Sequence, residues 1–174
     1  MKPPDITIRP YGLTDVQACY DAIIESRVAL ARWMPWFHPL YSIADTRAWV
    51  ESQVEAFAAG TDFAFVITDR EGRVLGACGL NHFDLPNRRA NLGYWVRTSC
   101  LGRGIATTAT RRLAEWAFAR TKLHRLEILA AVENIPSQRV AERAGATREG
   151  VLHGRLWLDG TVHDTVIYSL IRPD

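Results

Sequence analysis

Between about residues 90 and 132 the chain runs strand, glycine loop, helix, strand, and this succession limits its folds more than any other feature. Ala90–Arg97 reads as a strand, and Leu101-Gly102-Arg103-Gly104 ends it. Ala106, Ala109, Leu113, Trp116 and Ala117 then recur at helical spacing. Leu126, Ile128, Ala130 and Val132 alternate as a buried strand. Such a unit requires a right-handed crossover and locally parallel pairing of its two strands.

The flanks require the opposite pairing. Asp62–Asp69 and Arg73–Phe83 read as strands around a turn at Glu71-Gly72, and two last strands flank Asp159-Gly160, a strong hairpin pair. Ahead of them, Ile6 and Ile8 suggest a short first strand. Thr14-Asp15 offers a cap for a helix carrying Val16, Cys19, Ile23 and Ile24, which continues through Arg27–Trp33 to Met34-Pro35. Ser42 and Asp45 resemble a capping box for a helix with Val50, Val54 and Phe57 on one face, closed by Gly60. A short helix, about Pro136–Ala144, has Pro in its first turn and Gly145 after its end. The fold class is therefore α/β (α+β): a mixed, mostly antiparallel sheet with one central parallel pair, and helices.

At 174 residues and 48% apolar, the chain suits one domain over 1–174 with a sizeable core. The longest apolar runs, Phe63–Ile67 and Ile128–Val132, cannot span a bilayer, and Met1-Lys2-Pro3-Pro4-Asp5 begins no apolar stretch resembling a signal peptide. Cys19, Cys78 and Cys100 suit reduced thiols in a cytoplasm. The histidines at 38, 82, 124, 153 and 163 lack metal-ligand spacing, so no metal is expected. Arg88-Arg89 and Arg111-Arg112 are too sparse for a nucleic-acid patch. Cys100 precedes a helix but has no triad partners in the pattern.

The net charge of +2 hides an asymmetry: residues 1–87 carry seven Lys/Arg against eleven Asp/Glu, and residues 88–174 carry fourteen against eight. A basic half invites an anionic ligand and an acidic half a cationic one.

Gly102-Arg103-Gly104 stands where unpaired N–H groups and a helix dipole attract phosphate and where glycine permits close approach. It lacks the P-loop and dinucleotide fingerprints, and two such glycines by themselves are more often a tight turn than a phosphate site. Its surroundings extend the pattern: Gly93-Tyr94-Trp95-Val96 before it, Ala106-Thr107 after it, and Asn134-x-x-Ser137-x-x-Val140-Ala141-Glu142-x-x-Gly145 further on. Glu149-Gly150, Gly160, Asp164 and Tyr168 follow. Together these resemble the GNAT superfamily of acetyltransferases over nearly the whole chain. Arg32-Trp33-Met34-Pro35-Trp36 looks like the Trp-x-Pro-Trp segment of its ribosomal-protein N-terminal acetyltransferase branch.

The resemblance implies a single GNAT-like domain with a splayed parallel pair and helices on both faces. It implies acetyl-CoA as cosubstrate, moving acetyl directly to a primary amine: a protein N-terminus, or a small metabolite or antibiotic amine. A non-catalytic acyl-CoA-binding module is the rival. Gly102, Arg103, Gly104, Ile105, Ala106 and Thr107 would hold the pyrophosphate, with Arg103 and Arg139 toward the CoA phosphates. Edge groups at Trp95 and Val96 would pair with pantetheine and the thioester, Val96 N–H serving the oxyanion. Asn134 would contact the pantetheine arm or cap its helix. Ser137 would hydrogen-bond the departing thiolate, or cap that helix.

Two departures stand out. Leu101 replaces the usual Gln/Arg of the loop. Asn91 and Leu156 stand where relatives carry a glutamate base. A two-residue turn at Asp159-Gly160 places Leu156 opposite His163, making His163 a candidate base; His82 is another. A site without a strong base favours a low-pKa α-amine. Trp36 and Tyr41, from an apolar cluster with Trp33, Met34 and Phe37, are candidates for the substrate wall, with Glu25, Asp45 and Glu51 supplying negative charge. Expected partners are acetyl-CoA, the amine and, as in relatives, a second copy in a homodimer, with neither nucleic acid nor membrane.

Overall fold

Phe65 and Ile67 face one layer and Val66 the other, so the strand that carries them must be covered on both sides. The computed structural model describes residues 4–158 and 160–173. In chain order the elements are β1 (Thr7–Pro10), α1 (Val16–Glu25), α2 (Arg27–Trp33), α3 (Ile43–Ala59), β2 (Phe63–Thr68), β3 (Val74–Asp84) and β4 (Arg89–Val96). Then come α4 (Ile105–Arg120), β5 (Arg125–Ala131), α5 (Ile135–Ala144), β6 (Thr147–Leu158) and β7 (Thr161–Ile171). The strands form one sheet ordered β1-β2-β3-β4-β5-β7-β6, antiparallel except for β4 and β5.

Two apolar layers cover it. On one face Val16, Cys19 and Ala22 of α1 and Val50 of α3 pack on Val66, Val74 and Ala77. On the other, Ile105, Ala109, Leu113 and Ala117 of α4 and Ala141 of α5 pack on Phe65, Ile67, Leu80, Leu92, Leu126 and Ile128. Helices on both faces, the hairpins and the parallel crossover all match expectation.

Two local readings change. The first helix breaks at Ser26, whose hydroxyl donates to Ala22 O at 2.7 Å and accepts from Thr98 N–H at 3.0 Å, so Arg27–Trp33 is a separate helix. Asp15 does not cap α1; its carboxylate takes both Arg9 nitrogens at 2.7 Å and Gly12 N–H at 2.8 Å. In α3, Asp45 accepts from both the N–H and the hydroxyl of Ser42, closing the helix start. Next to the Ser26 contact, Glu25 accepts from Arg97 Nε at 2.5 Å and from Ser99 N–H at 3.0 Å, fastening the end of α1 to the segment after β4.

Leu156 does pair with His163, and Leu158 with Thr161; Asp159 of the turn between them lies outside the described residues, as do Met1, Lys2, Pro3 and Asp174. All three cysteines are buried and unpaired, and burial pushes the Cys19 thiol up to about 12. Among the described residues no helix is long and apolar enough to cross a membrane.

Candidate active site

β4 and β5 pair at Arg89↔Arg125, Ala90↔Leu126 and Asn91↔Glu127, then run on to Val96 and Ala131 without a paired partner between them. The sheet therefore opens at its centre. Arg97 N–H donates to Leu75 O on β3 at 2.8 Å, so by strand alternation Gly93 and Trp95 turn their peptide groups to β3 while Tyr94 and Val96 turn theirs into the gap. Across the gap Val132 N–H bonds Asp164 O on β7, so Leu129 and Ala131 face back toward β4. Leu129 went unmarked in sequence because its contribution is backbone, which no side-chain pattern advertises.

The end of β4 is pressed onto β3 by one residue. Gly76 has φ +152°, and a Cβ there would stand 2.2 Å from Trp95 O and 2.9 Å from Val96 Cα. Glycine is obligatory at that approach.

Beyond Val96 the chain makes a tight loop with Gly102 at φ +74° and Gly104 at φ +76°, the latter heading the 16-residue α4. The first-turn N–H groups at Ile105, Ala106 and Thr107 have no intrahelical acceptor, while Thr108 N–H returns to Gly104 O at 3.0 Å. Exposed loop, left-handed glycines and helix N-terminus together suit a diphosphate. Arg103 is exposed and donates to Ser99 O at 3.0 Å.

At the far side of the gap, Asn134 Oδ1 accepts from Ser137 N–H at 3.2 Å, so Asn134 does cap α5. Tyr94 reaches across from β4: its hydroxyl donates to Ser137 O at 2.9 Å and lies 3.1 Å from Ser137 Oγ. Burial raises the Tyr94 phenol to about 12, which keeps it protonated. Tyr94 stood in the sequence motif without a role, since only the fold brings residue 94 to residue 137.

A cleft of about 770 Å³ lies between α2 with its following segment and the β6–β7 hairpin. Arg27, Arg32, Trp33 and Phe37 line one wall, and Glu133, Leu158, Thr161 and His163 the other. His163 Nδ1 lies 3.3 Å from Glu133 Oε2, which orients the ring.

The profile of the acetyltransferase (GNAT) domain family matches residues 5–147. The chain belongs to the GNAT acetyltransferase family. It is 32% identical to the YdaF protein of Bacillus subtilis (strain 168), over 96% of this chain and 91% of that one. It is 29% identical to the ribosomal-protein-serine acetyltransferase of Escherichia coli (strain K12), over 90% and 87%. The crystal structure of the microcin C7 self-immunity acetyltransferase MccE with acetyl-CoA and AMP superposes with TM-score 0.89 at 26% identity, covering 96% and 92%. The chain is thus an acetyl-CoA-dependent N-acetyltransferase with a single GNAT-like α/β fold. The parted strands, the glycine loop and the free first turn of α4 fit that cosubstrate.

In this acetyltransferase the candidate residues fall into three groups. Val96, Gly102–Thr107, Asn134 and Ser137 border the gap or its loop, whereas Trp95, expected to offer its edge to the gap, turns its peptide to β3 by strand alternation; Arg139 is exposed on α5. His163 lines the cleft with Glu133, which the sequence reading passed over. Trp36, Tyr41, His82 and Asn91 stand apart from the cleft lining. Trp36 and Tyr41 have ring centroids 5.8 Å apart, and Tyr41 stacks at 5.3 Å on Phe37, which does line it. Asn91 donates to Asn81 Oδ1 at 2.8 Å on the neighbouring strand. His82 is exposed, with φ +51°, within the irregular stretch of β3 between Asn81 and Asp84.

Among the described residues the lining is not the acidic one expected. Glu25 is held by Arg97 and Ser99, Asp45 closes α3, and Glu51 is exposed on α3 without lining the cleft. Each half of the chain sends the other sign: Arg27 and Arg32 come from the acidic half, Glu133 from the basic one. Local hydrogen bonding had already claimed Glu25 and Asp45, which the sequence tally counted as free.

Proposed function

We propose that the enzyme, acting as one unit over residues 1–174, acetylates the α-amino group of a protein N-terminus, with ribosomal proteins as the substrate class and the cytoplasm as its place of work. The observation carrying this reading is the cleft: it offers His163, held by Glu133 at 3.3 Å, and no carboxylate at Asn91 or Leu156. An α-amino group, with pKa about 7.7–8.0, is roughly a tenth neutral at pH 7, whereas a lysine ammonium is neutral less than about one part in a thousand. A single histidine suffices for the first and not for the second. Likeness to the serine acetyltransferase of E. coli supports the same acceptor.

Gly102, Arg103, Gly104, Ile105, Ala106 and Thr107 bind the diphosphate through backbone N–H groups, Arg103 and Arg139 adding positive charge. The backbone edges of Tyr94 and Val96, with Leu129 and Asn134 opposite, align the pantetheine arm. Acetyl-CoA supplies the activated acyl group and a good leaving thiolate. Val96 N–H stabilises the carbonyl oxygen as it gains charge. His163 takes the proton from the attacking amine while Glu133 holds the ring in place. The Ser137 hydroxyl donates a hydrogen bond to the departing thiolate, which as a good leaving group needs no proton from it, and Tyr94 positions Ser137.

Thiol release with peptides bearing N-terminal Ser or Ala, against N-acetylated peptides with internal lysines, tests the acceptor. Preference for internal lysines at neutral pH overturns it. Loss of about tenfold to hundredfold in kcat with His163→Asn, CoA binding retained, supports the base; undiminished kcat removes His163 from that role.

A further inference from the structure

The charge of the cleft is the wrong sign for a bare ammonium. Arg27 and Arg32 both line it, both are exposed, and among the described residues neither makes an ion pair or a side-chain hydrogen bond. Among the described residues the one carboxylate in the lining, Glu133, is already turned to His163 at 3.3 Å. No residue of the glycine loop lines this cavity, so the two guanidiniums stand apart from the diphosphate site. Arg32 is further fixed by its neighbour: its Cζ stands 4.6 Å from the Trp33 ring centroid, and Trp33 also lines the cleft. A guanidinium stacked on an indole keeps its N–H edge free for a planar, bidentate acceptor such as a carboxylate.

Resting on the α-amine reading above, we infer that Arg27 and Arg32 select acceptors carrying carboxylates within the first few residues after the reacting amine. Among the described residues, an acceptor bringing only its ammonium would meet two positive charges and one shared carboxylate. An acidic N-terminal segment instead pairs its side chains with the two arginines while its amine turns to His163. The same positive field favours the neutral form of the bound amine, which eases the demand on a lone histidine. Trp33, Phe37 and Leu158 give the chain between amine and carboxylates an apolar bed.

Two partly exposed guanidinium–carboxylate pairs, at up to about fivefold each, set the expected preference between about threefold and twenty-fivefold. The assay compares kcat/KM for peptides Ser-Asp-Glu-Ala-Ala and Ser-Asn-Gln-Ala-Ala at 50 mM and 500 mM salt. A parallel arm compares 4-(2-aminoethyl)benzoate with phenethylamine. The expected result is preference for the acidic peptide that shrinks at high salt and falls toward one in the Arg27→Ala/Arg32→Ala variant. Because the readout is a ratio, loss of folded enzyme cancels. Peptides acetylated equally well, or a ratio unchanged in the variant, overturns the inference and leaves the α-amine reading standing. If only the small amines turn over, the α-amine reading fails, and indifference to their carboxylate overturns the inference as well. A carboxylate preference there that is lost in the variant upholds the arginines' role on another acceptor.

Discussion

Replacing Gly76 with alanine should damage the enzyme twice, in stability and in the placement of the Val96 N–H proposed as the oxyanion donor. The new Cβ would lie 2.2 Å from Trp95 O, where ordinary contact begins at 3.4 Å, and the next obstacle, Val96 Cα at 2.9 Å, is backbone too. No flexible side chain can yield, so the end of β4 must retreat by about 1 Å. Holding alanine at φ +152° costs about 1–3 kcal/mol, and overpacking adds about 1–3 kcal/mol. The sum of about 2–6 kcal/mol is a large part of a typical stability of about 5–15 kcal/mol. With a urea m-value of about 2 kcal/mol/M, the unfolding midpoint should fall by about 1–3 M. Below that midpoint, at a temperature where the variant stays folded, kcat for CoA release should also drop, because Val96 N–H moves with β4. Gly150→Ala is the control: nothing lies within 4 Å of its Cβ position and its φ is not in the left-handed region, so its midpoint should change by no more than about 0.5 kcal/mol equivalent. An unchanged midpoint for Gly76→Ala would refute the close approach. A lowered midpoint with wild-type kcat would refute the claim that β3 sets the position of Val96.

Other outcomes follow from the same contacts. Tyr94→Phe removes the hydroxyl that reaches Ser137; kcat should fall while CoA affinity measured by calorimetry holds, with about 0.5–1.5 kcal/mol lost in thermal or urea unfolding. Gly104→Ala forces a side chain to φ +76° at the head of α4, costing about 1–2 kcal/mol and weakening CoA binding more than it changes kcat. Acid should unfold the protein in a defined window: hydrogen bonds from Ser99 and Arg97 hold Glu25 down to about 2, and those from Arg125 and Ser169 hold Glu149 down to about 2, against an ordinary 4.5. Their folded values lie below the unfolded ones, so this stability is complete above about pH 4.5 and is lost as pH falls toward 2. Glu149→Gln should flatten the fall of the melting temperature across that window, as differential scanning calorimetry reads it.

Alternation and turn residues made the strands, the crossover and even the Leu156–His163 pairing readable from sequence, because those depend on local chemistry and on counting. The point where β4 leaves β5 after Asn91 was not readable, since no residue there announces a lost partner. Gly76 passed unnoticed for a related reason: its constraint comes from Trp95 and Val96, about twenty residues away. The charge of the cleft was misread because net tallies ignore who is already paired. Glu25 and Asp45 were spent on local contacts, and Arg27 and Arg32 were hidden inside an acidic half.

The clasp at the end of α1 has a thermodynamic consequence. Glu25 and Ser26 immediately precede α2, which carries Arg27 and Arg32, and their partners Arg97, Thr98 and Ser99 immediately precede the glycine loop. One knot of hydrogen bonds thus ties the wall proposed to receive the acceptor to the loop proposed to receive the diphosphate. Ordering either segment lowers the cost of ordering the other, so the two ligands should bind with positive cooperativity and, by linkage, each should tighten the other by the same factor. Calorimetric titration of CoA with and without an acceptor peptide measures that factor directly. In Glu25→Gln it should fall toward one, leaving two binding events that no longer know of each other.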